Sequence, residues 1–322
     1  MTGIVAVDIG GTHARFALAT VEGGRVVAMA PPVTLKTAEH ASFQTAWEAF
    51  GAMQAGPLPR LASIAVACPT QGEVLKLTNN PWVIRPALIP EKLHLDRFTL
   101  VNDFEAIAHA VAQAPADAFG PLAGPDAPLP ARGTITILGP GTGLGVASLL
   151  RQEGRYHVLP SEGGHVDFAP LDTIEDAILA HLRRAFRRVS VERLLSGPGL
   201  ENIYTALAAL EGRAVPSRDN RALWTAAMDG SDSLAAAALD RFMLTLGSVA
   251  GDLALAHGAA GVVVAGGLGQ RLAGRLPGSG FAERFAAKGR FESRMAQIPV
   301  RTIMLAEPGL YGAAAAFAVE AV

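Results

Sequence analysis

The chain has 322 residues, half of them hydrophobic and 17% charged, with a formal net charge of −2. This is the composition of a globular protein long enough for two domains, and it excludes a disordered chain. The near-neutral balance offers no electrostatic case for nucleic acid or an anionic membrane as a partner.

Ile4–Val7 reads as a short buried strand ended by Asp8, and Gly10-Gly11 makes a tight turn. Arg15–Thr20 returns as a second strand, and Glu22-Gly23-Gly24 turns into a third over Arg25–Met29. Antiparallel strands at the start argue against a dinucleotide-binding β-α-β unit. After the break at Pro31-Pro32, Ser42 to Met53 has apolar residues at helical spacing. Leu61–Cys68 and Gly72 to Leu77 read as strands, Pro90 to Leu95 as a short helix, and Phe98–Val101 as a strand. Helix follows from about Glu105 to Gln113. The Pro-, Ala- and Gly-rich run from Pro115 to Pro130 reads as a surface connection near a domain boundary.

Thr134–Leu138 then opens a second pattern of strand, glycine turn and return strand, Val146–Arg151. It parallels the start of the chain, which implies an internal duplication: two domains of related topology, each with one glycine turn. Leu159 to Phe168 reads as a polar loop and Leu171 to Arg188 as mostly helical. Ser190 is expected to cap a short helix holding Glu192, and Ser196-Gly197-Pro198-Gly199 to break it. Helices follow at Leu200–Leu210, Arg221–Met228 and Ser233–Ala256. Gly261–Ala265 and Ile298–Ile303 are expected strands, and Leu310 to Val322 is an alanine-rich helix.

Cys68 is the only cysteine, so neither an internal disulfide nor a cysteine zinc cluster is available. Met1-Thr2-Gly3-Ile4 carries no secretion signal. The stretch Leu253 to Leu268 is too short and too punctuated to span a bilayer. A soluble, cytoplasmic protein is expected.

The chemistry is expected at two glycine turns and one carboxylate. Phosphates need converging backbone amides, and glycine permits that tight, close approach. The first turn holds Gly10, Gly11 and the hydroxyl of Thr12, with Asp8 suited to hold hydrated magnesium. The second holds Gly139, Gly141, Thr142 and Gly143. Neither has a dinucleotide-fold Gly-x-Gly-x-x-Gly register or a P-loop lysine. Between them, Asn102-Asp103 ends a strand. Asp103 reads either as a helix N-cap or, beside two phosphate turns, as the base of a phosphoryl transfer. Glu162, His165, Glu192 and Asn102 are of the types that hold sugar hydroxyls. Each has a plain alternative: Glu192 favouring a helix N-terminus, His165 a satisfied loop histidine, Asn79-Asn80 turn residues. Gly266-Gly267 reads as a strand end or as a turn facing adenosine.

On these motifs the chain resembles the bacterial glucokinases of the hexokinase–actin–heat-shock ATPase superfamily, outside the ROK group. The resemblance covers nearly the whole chain. It rests on Asp8-Ile-Gly-Gly-Thr-His-Ala-Arg, Ala67-Cys-Pro-Thr, Thr78-Asn-Asn-Pro-Trp, Asn102-Asp-Phe-Glu-Ala and Gly139-Pro-Gly-Thr-Gly-Leu-Gly-Val-Ala. Glu162-Gly-Gly-His-Val-Asp-Phe-Ala, Glu192-Arg-Leu-Leu-Ser-Gly-Pro-Gly-Leu and Ala265-Gly-Gly complete it. ROK sugar kinases carry a zinc-binding cysteine cluster, which one cysteine cannot supply. One departure is His13, where family members often have Asn.

The resemblance implies an α/β fold of two actin-like ATPase (ribonuclease H-like) domains with a cleft between them. The small domain would be 1–113 plus 306–322, the large one 114–305. Asp103 would be the general base on the 6-hydroxyl of D-glucose, and Asn102, Asp103, Glu162, His165 and Glu192 would bind the sugar. Asp8, Gly10, Gly11, Thr12, Gly139, Gly141, Thr142 and Gly143 would hold the phosphates of ATP–Mg²⁺, with Asp8 reaching the ion through water. Gly266 and Gly267 would face the adenosine. The reaction would be ATP-dependent formation of glucose 6-phosphate, the entry step of glycolysis, in a homodimer that closes on glucose. The rivals are a kinase for another hexose or with polyphosphate as donor, and a sugar-sensing regulator or chaperone ATPase. The regulator would want a DNA-binding extension before Met1 to Ile4, and the chaperone a peptide-binding domain after Val322.

Overall fold

The computed structural model describes residues 1–77, 80–215 and 219–320. The chain divides into two compact units: Met1–Pro115 with Leu305–Val322, and Ala116–Met304.

The first unit opens with an antiparallel meander of β1 (Thr2–Ile9), β2 (His13–Glu22) and β3 (Arg25–Met29). A short strand, β4 (Val33–Lys36), returns along β2. After helix α1 (Phe43–Ala52), β5 (Leu61–Val66) joins β1 in parallel. A two-residue ladder, β6 (Leu75–Lys76) with β7 (Val83–Ile84), and helix α2 (Ile89–Leu93) precede β8 (Arg97–Asn102), which runs parallel to β5. Helix α3 (Asp103–Gln113) follows at once. The order across the sheet is β3-β2-β1-β5-β8.

The pleat of β1 divides its side chains between two cores. Val5, Val7 and Ile9 pack with Phe16 and with Phe43, Trp47 and Phe50 of α1. Ile4 and Ala6 face the opposite way. Helix α1 starts where the sequence signals it: the Ser42 hydroxyl accepts the Thr45 N–H and the Thr45 hydroxyl accepts the Ser42 N–H.

The second unit begins with β9 (Phe119–Ala123), then repeats the meander as β10 (Gly133–Pro140), β11 (Leu144–Gln152) and β12 (Arg155–Ser161). Helices α4 (Thr173–Leu182), α5 (Gly197–Leu210), α6 (Asn220–Asp229) and α7 (Ser233–Ala256) come next. Then follow β13 (Gly261–Val264), α8 (Gly266–Leu272), α9 (Phe281–Ala286), α10 (Glu292–Met295) and β14 (Val300–Ile303). The sheet runs β12-β11-β10-β13-β14-β9, with β10, β13 and β14 parallel. Its first five strands thus repeat the order and sense of the first unit's sheet. Helix α7 is the one described helix long and apolar enough to cross a membrane. Most of it is buried in this unit's core, among residues such as Ile203, Trp224 and Phe281. The last helix, α11 (Pro308–Glu320), returns to the first unit and covers Ile4 and Ala6 with Leu310 and Phe317.

Three sequence readings are corrected. The run after Pro115 is not all connection, since it contains β9, an edge strand carrying Gly120 and Pro121. The polar loop at Leu159 is the end of β12, another edge strand, which holds Pro160. An edge strand tolerates proline and needs no continuous apolar run, so its signal is faint. Ser196-Gly-Pro-Gly starts α5 rather than breaking a helix: the Ser196 hydroxyl accepts the Gly199 N–H, and Pro198 lies in the first turn.

Candidate active site

The parallel strands of each unit end together. In the first unit Ile9 pairs with Val66 and Val66 with Asn102, so the first glycine turn, Ala67-Cys68 and Asn102-Asp103 leave the sheet along one carboxyl edge. In the second, Leu138 pairs with Val264 and Val264 with Thr302, so the second glycine turn and Gly266 leave along the corresponding edge. Carboxyl edges are where open α/β sheets place their ligands.

The first turn is Gly10-Gly11-Thr12, closed by the Gly10 N–H on the His13 carbonyl at 2.9 Å. Each of its three carbonyls is tied back by a residue outside it. Asn80 Nδ2 donates to Gly10 O at 2.8 Å, the Thr37 hydroxyl to Gly11 O at 3.1 Å, and the Thr37 N–H to Thr12 O at 3.0 Å. The N–H groups of Gly11 and Thr12 meet no acceptor among the described residues. Amides left open while their carbonyls are held suit an anion. His13, the departure from the family pattern, shares a 2.9 Å hydrogen bond between its Nδ1 and the Thr12 hydroxyl. Thr37 was not singled out from the sequence, because it follows a four-residue edge strand with no motif of its own. Asn80 also accepts the Trp82 N–H, so its turn reading holds as far as it went. Thr78 and Asn79 lie outside the described residues.

Asp8 is the penultimate residue of β1, opposite Arg15, whose Nη1 is 3.7 Å from Asp8 Oδ2 while its Nε meets Glu307 at 2.9 Å. Burial pushes the Asp8 carboxyl up to about 6; Arg15 opposes this and Glu307 adds to it. A Cβ on Gly309 would stand 2.8 Å from Asp8 Oδ2, so that glycine clears room for the carboxylate. No group of three or more metal-ligating side chains exists among the described residues. Any magnesium here would lean on one carboxylate, water and phosphate oxygens, a usual donor set for that ion with nucleotides.

Asn102, not Asp103, is the N-cap of α3. Its Oδ1 accepts the Phe104 N–H at 2.9 Å, Glu105 reaches back to the Asn102 N–H, and Nδ2 donates to the Cys68 carbonyl at 3.2 Å. Asp103 is therefore the first helical residue, with Oδ1 2.9 Å from the Phe104 N–H. The cap role that competed for Asp103 belongs to its neighbour. Burial, and after it the Asp103 charge, push the Cys68 thiol up, so it stays protonated and inert.

The second turn, Gly141-Thr142-Gly143, is also three residues long and is closed by the Gly141 N–H on Gly143 O at 2.8 Å. Its Gly141 carbonyl accepts the Gly197 N–H at 2.7 Å. Gly139 lies within β10, paired with Gly145. Gly266, at φ +76°, packs on this turn: a Cβ there would come within 2.8 Å of Pro140 O. Gly266 and Gly267 open α8, so they are a helix start and not only a strand end. Glu162 and His165 are exposed in the short 3₁₀ turn after β12. Gly164 in that turn is buried so close to Leu144 that a Cβ would meet its carbonyl at 2.0 Å. Ser190 precedes a short 3₁₀ helix, Val191–Arg193, with Glu192 in its first turn, as the sequence reading had it, but Ser190 makes no side-chain cap. Glu192 Oε2 accepts the Leu144 N–H at 2.9 Å.

The family model described as Glucokinase matches residues 5–320. The chain is 61% identical over 315 residues to the glucokinase of Zymomonas mobilis subsp. mobilis, covering 98% of this chain and 97% of that protein. Among solved structures it is similar to the glucokinase from an Antarctic psychrotroph, with TM-score 0.86, 33% identity and 98% of each chain covered. It shares its fold with a ROK family glucokinase from Streptomyces griseus in complex with glucose and AMPPNP, at TM-score 0.63 and 19% identity, covering 97% of this chain and 98% of that one. Strand order, turn placement and these matches agree: the chain belongs to the glucokinase family.

Proposed function

We propose that the chain transfers the γ-phosphoryl group of ATP to the 6-hydroxyl of D-glucose, with Asp103 as general base. The observation that carries this is the common carboxyl edge of the first unit, where Asp103 and an amide-presenting glycine turn emerge from neighbouring parallel strands. Phosphoryl transfer depends on positioning and charge neutralisation more than on covalent help. Asp103 accepts the hydroxyl proton, while Asn102, Glu162, His165 and Glu192 hold the other hydroxyls. Gly10, Gly11 and Thr12 take phosphate oxygens, as do Gly139, Gly141, Thr142 and Gly143, and Gly266-Gly267 face the adenosine. Asp8 would hold Mg²⁺ through water, and the ion supplies charge neutralisation when bound. Family membership and a protein of the same fold that binds glucose and AMPPNP support glucose and ATP as the ligands.

The repeated sheet order supports reading both units as actin-like ATPase (ribonuclease H-like) domains. A homodimer in the cytoplasm, at the entry to glycolysis, completes the reading. The test is ADP release from ATP–Mg²⁺ with no sugar and with glucose, mannose, fructose or N-acetylglucosamine, beside sugar-phosphate formation with polyphosphate in place of ATP. Strong glucose-dependent release is expected. Release without sugar would favour a chaperone-type ATPase, and none with any sugar would remove the kinase reading.

A further inference from the structure

We propose that Glu192 is a positioning residue through which bound sugar sets the second phosphate turn, so that glucose raises the affinity for nucleotide. The inference rests on the reading above, in which Glu192 takes a sugar hydroxyl and the turn takes phosphate.

Glu192 divides its carboxylate. Oε2 accepts the N–H of Leu144, the first residue after the turn, while Oε1 takes no hydrogen bond from any described residue. The carboxylate fits there because Gly143 has no side chain: a Cβ at Gly143 would lie 2.4 Å from Oε2. Five residues on, the Gly197 N–H holds the Gly141 carbonyl at the other end of the turn at 2.7 Å. The segment 192–197 therefore grips the turn at both ends. Between the grips, the N–H groups of Thr142 and Gly143 meet no acceptor among the described residues and stay open to an anion.

The same segment is joined to the Glu162–His165 turn. The Val191 N–H donates to Val166 O at 2.9 Å and the Phe168 N–H to Val189 O at 3.0 Å. Gly164 lies against the carbonyl of Leu144, whose N–H Glu192 holds. One residue, Leu144, is thus fixed on one side by the carboxylate and overlaid on the other by the sugar turn. A hydroxyl donating to Oε1 immobilises the carboxylate and, through Oε2, the exit of the phosphate turn. Ordering paid at the first binding event need not be paid at the second, which gives positive cooperativity.

Two variants test this, with calorimetric binding of glucose alone and of AMPPNP–Mg²⁺ with and without saturating glucose. In the wild-type protein glucose should tighten AMPPNP by about fivefold or more, the lower range of allosteric coupling. Glu192→Gln keeps an acceptor for the Leu144 N–H but loses the carboxylate oxygen open to the sugar hydroxyl, so the enhancement of AMPPNP binding by glucose should be lost. Gly143→Ala pushes a methyl onto Oε2. It should weaken glucose by about tenfold with no nucleotide present, an effect a residue serving phosphate alone would not have. A wild-type protein that binds both ligands independently, or a Gly143→Ala protein with unchanged glucose affinity, overturns the inference and leaves the kinase reading standing. Failure of the wild-type protein to bind glucose at all overturns both.

Discussion

At the scale of single residues, Asp103 and His109 share helix α3 but carry different predictions. Asp103 stands at the helix start, where backbone amides favour its charge. Replacing it with Ala should lower turnover roughly a hundredfold or more, the usual size of a general-base effect, with the circular dichroism melt retained. Near-normal steady-state turnover would take the role away from it. His109 lies two turns further on, and burial pulls its pKa from the ordinary 6.5 down to about 4. Between those values the unfolded chain takes up a proton that the folded chain refuses. The stabilising contribution is complete above about 6.5 and falls away as pH drops toward 4. His109→Gln should therefore lose less thermal stability than wild type between pH 6.5 and pH 4. Parallel Tm profiles for the two proteins would rule this out. Asp8 acts in the opposite sense: its raised pKa gives a contribution present below 3.8 and lost as pH rises through about 6.

Among elements, α11 crosses α3 closely in the first unit. A Cβ on Gly312 would come within 1.7 Å of the Ala106 carbonyl, and Ala313 and Ala316 pack beside Ala106. The alanine-rich composition of this helix therefore reflects close packing of backbones, not only helix propensity. Gly312→Ala must separate the helices, at a cost of roughly 1–3 kcal/mol or more as overpacking usually brings. Urea denaturation would measure it, and an unchanged midpoint would mean the crossing relaxes freely. In the second unit a buried ion network joins α4, α7 and α9: Glu175, 1% exposed, meets Arg241 at 3.1 Å and Arg284 at 3.4 Å, and Asp172 meets both arginines. The sequence announces α4 and α7 as helices in part but not α9, and no local pattern pairs residues 66 or more positions apart.

For the molecule as a whole, the division of the chain makes the two units unequal as folding units. The second is continuous from Ala116 to Met304 and holds its own large core. The first is interrupted: its sheet is complete by Asn102, but one sheet face is covered by Leu310, Ala314 and Phe317 of α11. A fragment of residues 116–304 should give a cooperative thermal melt, whereas 1–115 should not until a peptide of residues 305–322 is added. A cooperative melt of 1–115 alone would show that α11 is dispensable. The repeated sheet order explains why the internal duplication could be read from sequence at all: each copy begins with a buried strand, a three-residue glycine turn and a return strand.

What the sequence determined by itself is local. Glycine turns after buried strands, the strand-to-helix junction at Asn102-Asp103 and the apolar periodicity of Ser233–Ala256 all lie within a few residues, where sterics and burial leave a readable pattern. Only the tertiary structure decided which residues hold those turns in place. Thr37 and Asn80 reach the first turn from 26 and 70 positions away, and Glu192 reaches the second from 48. It also decided that Asn102 caps the helix and leaves Asp103 inside it. Hydrogen bonds of this kind join backbone groups that folding brings together, and a backbone amide has no residue-specific signature, so no spacing in the chain announces them.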